Sequence, residues 1–385
     1  MLQFVREWQA TRRFAALPAE QRNIVFYSEG PEYWIHLQPL VDHLVRDHGR
    51  TLCYLSSSAD DPGLALDRPE VIPFQIGTGA ARTTLFYFLR ARVVVMTMPD
   101  LNTLHIKRSV HPVHYVHVFH SLVSTHMVYR HAAFDHFDTL FCVGPHHVEE
   151  VRRTEEVYGL PKKALVEHGY GRLDSVLRNA TAGPRMHNDG NPRRILLAPS
   201  WGGFGRQGLL ETVGKELVAT LLGAGMHVTV RPHPMSLKQP QGQSADLRKV
   251  FAGHHLFEYD DNVASEASLH ASHLMISDWS GAALDYAFGR ERPVLFVDVP
   301  RKVNNPNYER LGIEPIEAFI REEVGAILSP VNISAAPALA AQLIDRSEAY
   351  VARIQAARSR WVYNVGSSGA RGAQHIVALA GGTSA

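Results

Sequence analysis

The chain has 385 residues, 45% of them hydrophobic and 20% charged, with 39 Lys+Arg against 38 Asp+Glu for a net charge of +1. At about 150 residues per domain this length predicts two or three domains, and the composition excludes a largely disordered, collagen-like or coiled-coil chain. The balanced charge provides no global basic field for nucleic acid. Two cysteines, Cys53 and Cys142, are too few for a disulfide framework, which predicts a reducing compartment. No apolar run reaches the roughly 18 residues of a membrane span. The opening MLQFVREWQATRRF lacks the apolar core of a secretory signal. A cytoplasmic location is the expectation.

In chain order, residues 1–20 read as an amphipathic helix with Leu2, Phe4, Val5 and Trp8 apolar and Arg6, Arg12 and Arg13 basic. It either packs on the domain that follows or serves as a peripheral foot on the inner face of an anionic membrane. IVFYSEG (24–30) reads as a strand leading into the helix-like IHLQPLVDHLVRDHG, closed by Gly49. TLCYLSS (51–57), ARVVVMTMP (91–99), VHYVHVFHS (113–121) and FDTLFCVGP (137–145) follow as strands, with a helix over 146–158. ALVEHGYGRLDSVL (164–177) combines a short strand, a glycine-rich turn and a helix. Residues 178–194 lack apolar periodicity, which places a linker at 181–193. The pattern then restarts with RILLAPS (194–200), a helix, HVTVRPHP (227–234), LMISDWSGAALDYAFG (274–289) and RPVLFVDVP (292–300). One long helical stretch, PALAAQLIDRSEAYVARIQAARSRWVYNV, fills the tail. Strands alternating with helices predict an α/β protein with parallel sheets. Two Rossmann-like domains follow, 21–180 and 194–385, the second closed by the C-terminal helices. The ligand is expected in a cleft between them, at the C-terminal ends of the strands.

Three constellations carry chemistry. The strand LMIS runs into Asp278, Trp279, Ser280 and Gly281 and then a helix. Ser280 suits an N-cap, and a glycine beside free N–H groups at a helix start suits a phosphate, although a plain capped turn has the same letters. Arg231 and His233 follow a buried strand, with Pro232 and Pro234 fixing the backbone, and a guanidinium with an imidazole suits an anion. His111, His114, His117 and His120 are spaced by three, but Pro112 and the β-branched and aromatic content favour a strand over a metal-binding helix face. His120, at the strand end beside Ser121, is the candidate general base, while His114 and His117 read as structural. Smaller signals are the turn Gly169-Tyr170-Gly171-Arg172, the loop Ser200-Trp201-Gly202-Gly203, and Ser367, Ser368 and Arg371 before the final helix. No G-x-G-x-x-G, P-loop, G-x-S-x-G or zinc spacing is present. No convincing D-x-D pair stands out, so no cofactor and no protein-bound metal are expected.

ILLAPSW, VTVRPHP, LMISDWSGAALDYAFGRERPVLF and YNVGSSGARGAQHI resemble, in that order, motifs of the CDP-glycerol glycerophosphotransferases, the teichoic-acid primases and polymerases of GT-B fold. VFHSL (118–122) resembles the family's W-H-G-T, and VEHGYGRLDSVL its G-Y-P-R-x-D. The resemblance covers roughly residues 110–300 plus the tail. The departures are Phe119-His120-Ser121 for W-H-G, Gly169-Tyr170-Gly171-Arg172 for G-Y-P-R, and Ser277-Asp278-Trp279-Ser280-Gly281 for T-D-Y-S-S.

The resemblance implies transfer of a glycerol-phosphate or similar alditol-phosphate unit from a CDP-activated donor to a hydroxyl of a cell-surface glycan or its lipid-linked precursor. It implies His120 as base and His233 with Arg231 at the departing phosphate. Ser280, Gly281, Ser200, Ser367, Ser368 and Arg371 would serve the donor phosphates, and Asp278 and Asp285 the donor hydroxyls. Ser121, Tyr170 and Arg172 fall on the acceptor side. Two other readings are a nucleotide-sugar transferase of the same fold and a non-catalytic nucleotide- or glycan-binding component of an assembly complex.

Overall fold

The computed structural model describes residues 2–182, 192–202, 207–238, 243–262 and 265–381. Most of the expected linker, and Gly203 of the glycine-rich loop, lie outside the described residues. The chain forms two compact units. The first takes residues up to His120, Tyr129–Arg172 and the chain from Val362; the second takes Ser121–Val128 and Leu173–Trp361.

The first unit holds seven strands: β1 (Ile24–Ser28), β2 (Leu52–Ser56), β3 (Val71–Gln75), β4 (Val93–Met96), β5 (His114–Val118), β6 (Thr139–Cys142) and β7 (Ala164–Glu167). They are parallel, in the order β3-β2-β1-β4-β5-β6-β7. β1, β2, β4 and β6 are buried along their whole length, which is why they read as unbroken apolar runs. β3 escapes that pattern. It is a half-buried edge strand carrying Pro73, whose missing N–H is tolerated only at a sheet edge. The helices here are α1 (Leu2–Ala15), α2 (Pro31–Arg46), α3 (Ala80–Tyr87) and α4 (Pro145–Tyr158); α5 (Gly171–Ala182) starts in this unit and from Leu173 on belongs to the second.

The second half of α1 is seated on the sheet edge. Phe14 meets Phe74 edge-on at 5.6 Å, and Arg13 Nη2 donates to the Pro73 carbonyl at 2.8 Å. Phe4 and Val5 remain exposed. Among the described residues, no helix is long and apolar enough to cross a membrane.

The second unit holds β8 (Arg194–Leu197), β9 (His227–Val230), β10 (Phe257–Tyr259), β11 (Leu274–Ser277), β12 (Val294–Val297) and β13 (Gly325–Leu328), all parallel in the order β10-β9-β8-β11-β12-β13. Its helices are α6 (Lys215–Gly223), α7 (Pro234–Leu237), α8 (Gln243–Phe251), α9 (Ala267–His270), α10 (Gly281–Arg290), α11 (Ile316–Phe319), α12 (Arg321–Val324), α13 (Ala336–Asp345) and α14 (Ser347–Trp361). The expected single tail helix is broken at Arg346, where φ −100° and ψ 10° leave the helical region.

The final helix, α15 (Ser368–Leu379), returns to the first unit rather than closing the second. Ala373 and Ile376 join Leu37, Leu40, Val41 and Leu44 of α2 in the first unit's core. Gly369 and Gly372 permit this close approach, because a Cβ on either would stand within 3 Å of Pro39, His43, Leu40 or His168. In each sheet the chain starts centrally, runs to one edge and crosses back. This creates a switch point between β1 and β4 and another between β8 and β11.

Candidate functional site

In the first unit His120 lies just beyond the end of β5, half-buried. α2 brings up Tyr33 and His36, with ring centroids 5.5 and 6.1 Å from the His120 ring, and Tyr129 stands 5.9 Å away. The turn after β7 supplies Tyr170, 2% exposed, whose hydroxyl donates to the His120 carbonyl at 3.0 Å. That turn requires Gly169. Its φ is +96°, and a Cβ there would collide with the Tyr363 carbonyl and press on Ser368.

The electrostatics of this pocket keep its second imidazole neutral. Burial holds the His36 pKa well below its ordinary value, and the charges of Arg172 and His120 push the same way. Burial also raises the Tyr33 phenol, helped by Glu29 and Glu32. His120 thus stands between two phenols and an imidazole that burial keeps neutral.

The other histidines of the motif do different work. His114 Nε2 shares a 2.7 Å hydrogen bond with Thr139 Oγ1. His117 is fully buried, its ring 4.7–5.0 Å from those of Phe119, Phe134 and Phe137. Among the described residues, no group of three or more His, Cys, Asp or Glu is arranged to hold a metal ion.

In the second unit the candidate residues follow three adjacent strands, β9, β8 and β11. Arg231, 7% exposed, donates from Nη1 to Ser268 Oγ at 3.0 Å and lies 3.8 Å from Asp260. His233 caps α7: its Nδ1 accepts the Met235 N–H at 3.1 Å. A ring that accepts at Nδ1 carries its proton on Nε2, so the neutral imidazole is an Nε2–H donor. Ser280 caps α10, its Oγ accepting from the Ala282 N–H at 3.3 Å.

Several expected roles change. Asp278 and Asp285 were expected at donor hydroxyls. Asp278 is 1% exposed, and its two oxygens accept from the Ser200 N–H at 2.7 Å, the Ser200 hydroxyl at 3.0 Å and the Leu209 N–H at 3.4 Å. Burial raises its pKa and the Ser200 bonds oppose the rise. With Ser277 Oγ donating to the Ala198 carbonyl at 2.6 Å, Asp278 ties together the ends of β8 and β11 at the switch point, and Ser200 is one of the tied groups. Asp285 is 5% exposed inside α10, between buried Leu284 and Tyr286.

Ser367, Ser368 and Arg371 were expected with the donor phosphates. They stand at the start of α15 in the first unit, and Ser368 is fully buried against Gly169 and Gly171. Tyr170, expected beside the acceptor, is buried beneath His120, whereas Arg172 is half-buried in the first turn of α5.

Ser121 was expected on the acceptor side. It belongs to the second unit, as does the whole segment Ser121–Val128. Ser124 donates from N and Oγ to the two carboxylate oxygens of Glu317 at 2.9 and 2.7 Å. Asn305 Nδ2 donates to the His126 carbonyl, and the Asn304 N–H to that of Met127, both at 2.9 Å. Sequence reasoning passed over Tyr33, His36 and Glu317. Tyr33 and His36 are three apart on a helix that opens at a strand end, a readable signal. Glu317 meets a partner 193 residues away and left no trace in the letters.

A family model for CDP-glycerol:poly(glycerophosphate) glycerophosphotransferases matches residues 11–302. No curated protein matches the sequence. Among solved structures, the wall teichoic acid polymerase TagF is similar with a TM-score of 0.64 and 15% identity, over 98% of this chain and 95% of that one. A TagF structure soaked with CDPG gives 0.61 and 13%, over 98% and 94%. A UDP-GlcNAc 2-epimerase from Neisseria meningitidis bound to UDP-GlcNAc gives 0.58 and 12%, over 92% and 99%. At these identities the likeness is one of fold, and the fold is α/β of the GT-B type.

Proposed function

The chain belongs to the CDP-glycerol:poly(glycerophosphate) glycerophosphotransferase family, matched over residues 11–302, and on that premise we propose how its residues carry the transfer of glycerol phosphate from CDP-glycerol. The acceptor is a hydroxyl of a cell-surface glycan or its lipid-linked precursor. His120 takes the proton as the acceptor oxygen attacks the glycerol-bearing phosphorus. One P–O bond forms, the P–O bond to CMP breaks, and CMP leaves. Arg231 and the Nε2–H of His233 meet the charge that grows on the departing phosphate. The first N–H groups of α10 hold a donor phosphate. Catalysis on this reading is positioning and electrostatics.

The observation that supports the donor half most directly is His233, whose cap on the Met235 N–H leaves its proton on the nitrogen that can serve a phosphate oxygen. The test is incubation with CDP-glycerol and with UDP- and GDP-sugars in the presence of a lipid-linked acceptor. CMP release from CDP-glycerol alone is expected. NMP or NDP release from a nucleotide sugar assigns a sugar transferase instead, and donor binding without any turnover assigns a binding component.

A peripheral membrane contact through α1 fits the same role, because exposed Phe4 and Val5 are accompanied by exposed Arg6, Arg12 and Arg13 while Phe14 anchors the helix. Co-sedimentation with anionic vesicles should fade with salt. It should also drop when Phe4→Ser, Val5→Ser, Arg6→Ser and Arg12→Ser are combined. Unchanged sedimentation makes α1 purely structural.

A further inference from the structure

Gly281 opens α10, and the space where its side chain would stand is already taken. A Cβ built on Gly281 would fall well within 3 Å of Ser121 Oγ, and 3.4 Å from Ser121 Cβ. The second figure is an ordinary contact and the first is not. Any side chain at 281 is therefore accommodated only by turning the Ser121 hydroxyl out of its place. Both residues lie in the second unit. The segment that carries Ser121 is fastened there by Glu317, Asn304 and Asn305, so Ser121 cannot readily drift from the helix head.

Among the described residues, the hydrogen bond made by Ser121 Oγ is one accepted from the Val123 N–H at 3.5 Å, the outer limit of such a contact. Its own proton is left to donate beside the first N–H groups of α10. These two positions are also departures from the family pattern: residue 121 follows the histidine where the pattern has Gly, and residue 281 stands where the pattern has a second Ser.

We propose that Ser121 and Gly281 are one exchanged position, in which the hydroxyl at the head of α10 is delivered from residue 121 and Gly281 exists to make room for it. Ser121 is then a determinant of donor recognition, a hydroxyl that donates to a donor phosphate oxygen together with the helix N–H groups. This rests on the reading of α10 as the donor-phosphate site, and it moves Ser121 from the acceptor side to the donor side.

The test uses the full chain with Ser121→Ala, Gly281→Ala, the double Ser121→Ala/Gly281→Ala and the exchange Ser121→Ala/Gly281→Ser. KM for CDP-glycerol and CDP affinity by calorimetry are read for each, together with Tm. Loss of one hydrogen bond to a charged group predicts a KM raised roughly tenfold in Ser121→Ala, Gly281→Ala and the double alanine variant. The exchange should recover to within a few-fold of wild type, since it returns a hydroxyl from the other side. If the exchange is no better than the double alanine, or if Ser121→Ala keeps the wild-type KM, the proposal is overturned.

Failure of the donor reading would show separately, as a wild-type chain that releases no CMP from CDP-glycerol. The pairing is then decided by Tm. Gly281→Ala should lower Tm in the Ser121 protein and leave it unchanged in the Ser121→Ala background. Equal effects in the two backgrounds sink the pairing.

Discussion

The Tyr170 hydroxyl donates to the backbone carbonyl of His120 across 3.0 Å, joining two motifs fifty residues apart in the chain. Tyr170 is itself held by the left-handed turn at Gly169 and by its ring, 5.6 Å from that of His36. Its hydroxyl therefore acts on the histidine through the main chain. Tyr170→Phe keeps the packing and removes one hydrogen bond, worth about 1 kcal/mol net. Single-turnover transfer should slow roughly fivefold, with CDP affinity by calorimetry unchanged. A raised acceptor KM with normal kcat would instead return Tyr170 to acceptor binding.

His120→Ala should abolish transfer and leave CDP affinity within a few-fold of wild type, because a base acts in the transition state and contributes little to ground-state binding. His114→Ala and His117→Ala belong to a different class. His114 bonds to Thr139, and His117 fills a pocket of three phenylalanines, so both should lower Tm and reduce activity only in step with folding. Normal transfer by His120→Ala, or a common loss in all three that follows Tm, would remove His120 as the base.

The strands were legible because parallel strands buried on both faces must be written in Val, Ile, Leu and Phe. Runs such as Val93–Met96 and Leu274–Ser277 have no competing reading. β3, β10 and β13 were not: all three are edge strands only partly buried, and Pro73 makes β3 look like a loop. Residues just after strands, such as His120, Arg231, His233 and Ser280, could be picked out as candidates from their letters and place in the βα pattern. What each side chain holds could not. Asp278 and Ser200 are 78 residues apart, and only folding shows that the carboxylate is spent on Ser200 rather than left for a ligand. Ser368 and Arg371 read as an anion site because Gly and Ser crowd together there, whereas the glycines serve the approach of α15 to α2. The passage of Ser121–Val128 into the second unit is a tertiary fact, held by Glu317 and Asn305, with no local signature.

His233 combines two jobs that substitution can separate. Its Nδ1 caps α7, which places the ring proton of the neutral imidazole on Nε2. Asn at a cap position accepts the same backbone N–H through its side-chain oxygen. His233→Asn should keep Tm within a few degrees and lower kcat about 10²-fold, the scale of a lost charge-stabilising donor. His233→Ala should match it in rate and lose additional stability, about 1 kcal/mol for the cap. If His233→Asn transfers at nearly the wild-type rate, the imidazole serves the fold alone.

Acid should destabilise the protein in a window set by its buried histidines. Burial is the first cause in each case. It lowers His168 to about 4, and holds His36 and His117 well below the ordinary 6.5. These rings are neutral in the native state, while the unfolded chain protonates them near pH 6.5. Above that pH neither state binds the protons and stability is flat. Below it the unfolded state binds protons that the native state refuses, so stability falls as pH falls. For His168 the loss continues to about pH 4, where the native ring also protonates, and amounts to roughly 3 kcal/mol for a shift of that size. Asp100 and Asp278, raised by burial, act in the opposite direction. The interval from about pH 6.5 to 5 is where the unfolded chain's histidines gain their protons, and their share of the slope is read from a histidine variant. Urea unfolding across it should show ΔG decreasing as pH falls, with His114, His227 and His375, also lowered by burial, adding to the slope set by His36, His117 and His168. His117→Leu, which suits the surrounding phenylalanines, should remove one proton from that slope. A pH-independent ΔG in this interval, or a slope untouched by His117→Leu, would mean that these rings are not held neutral by the fold.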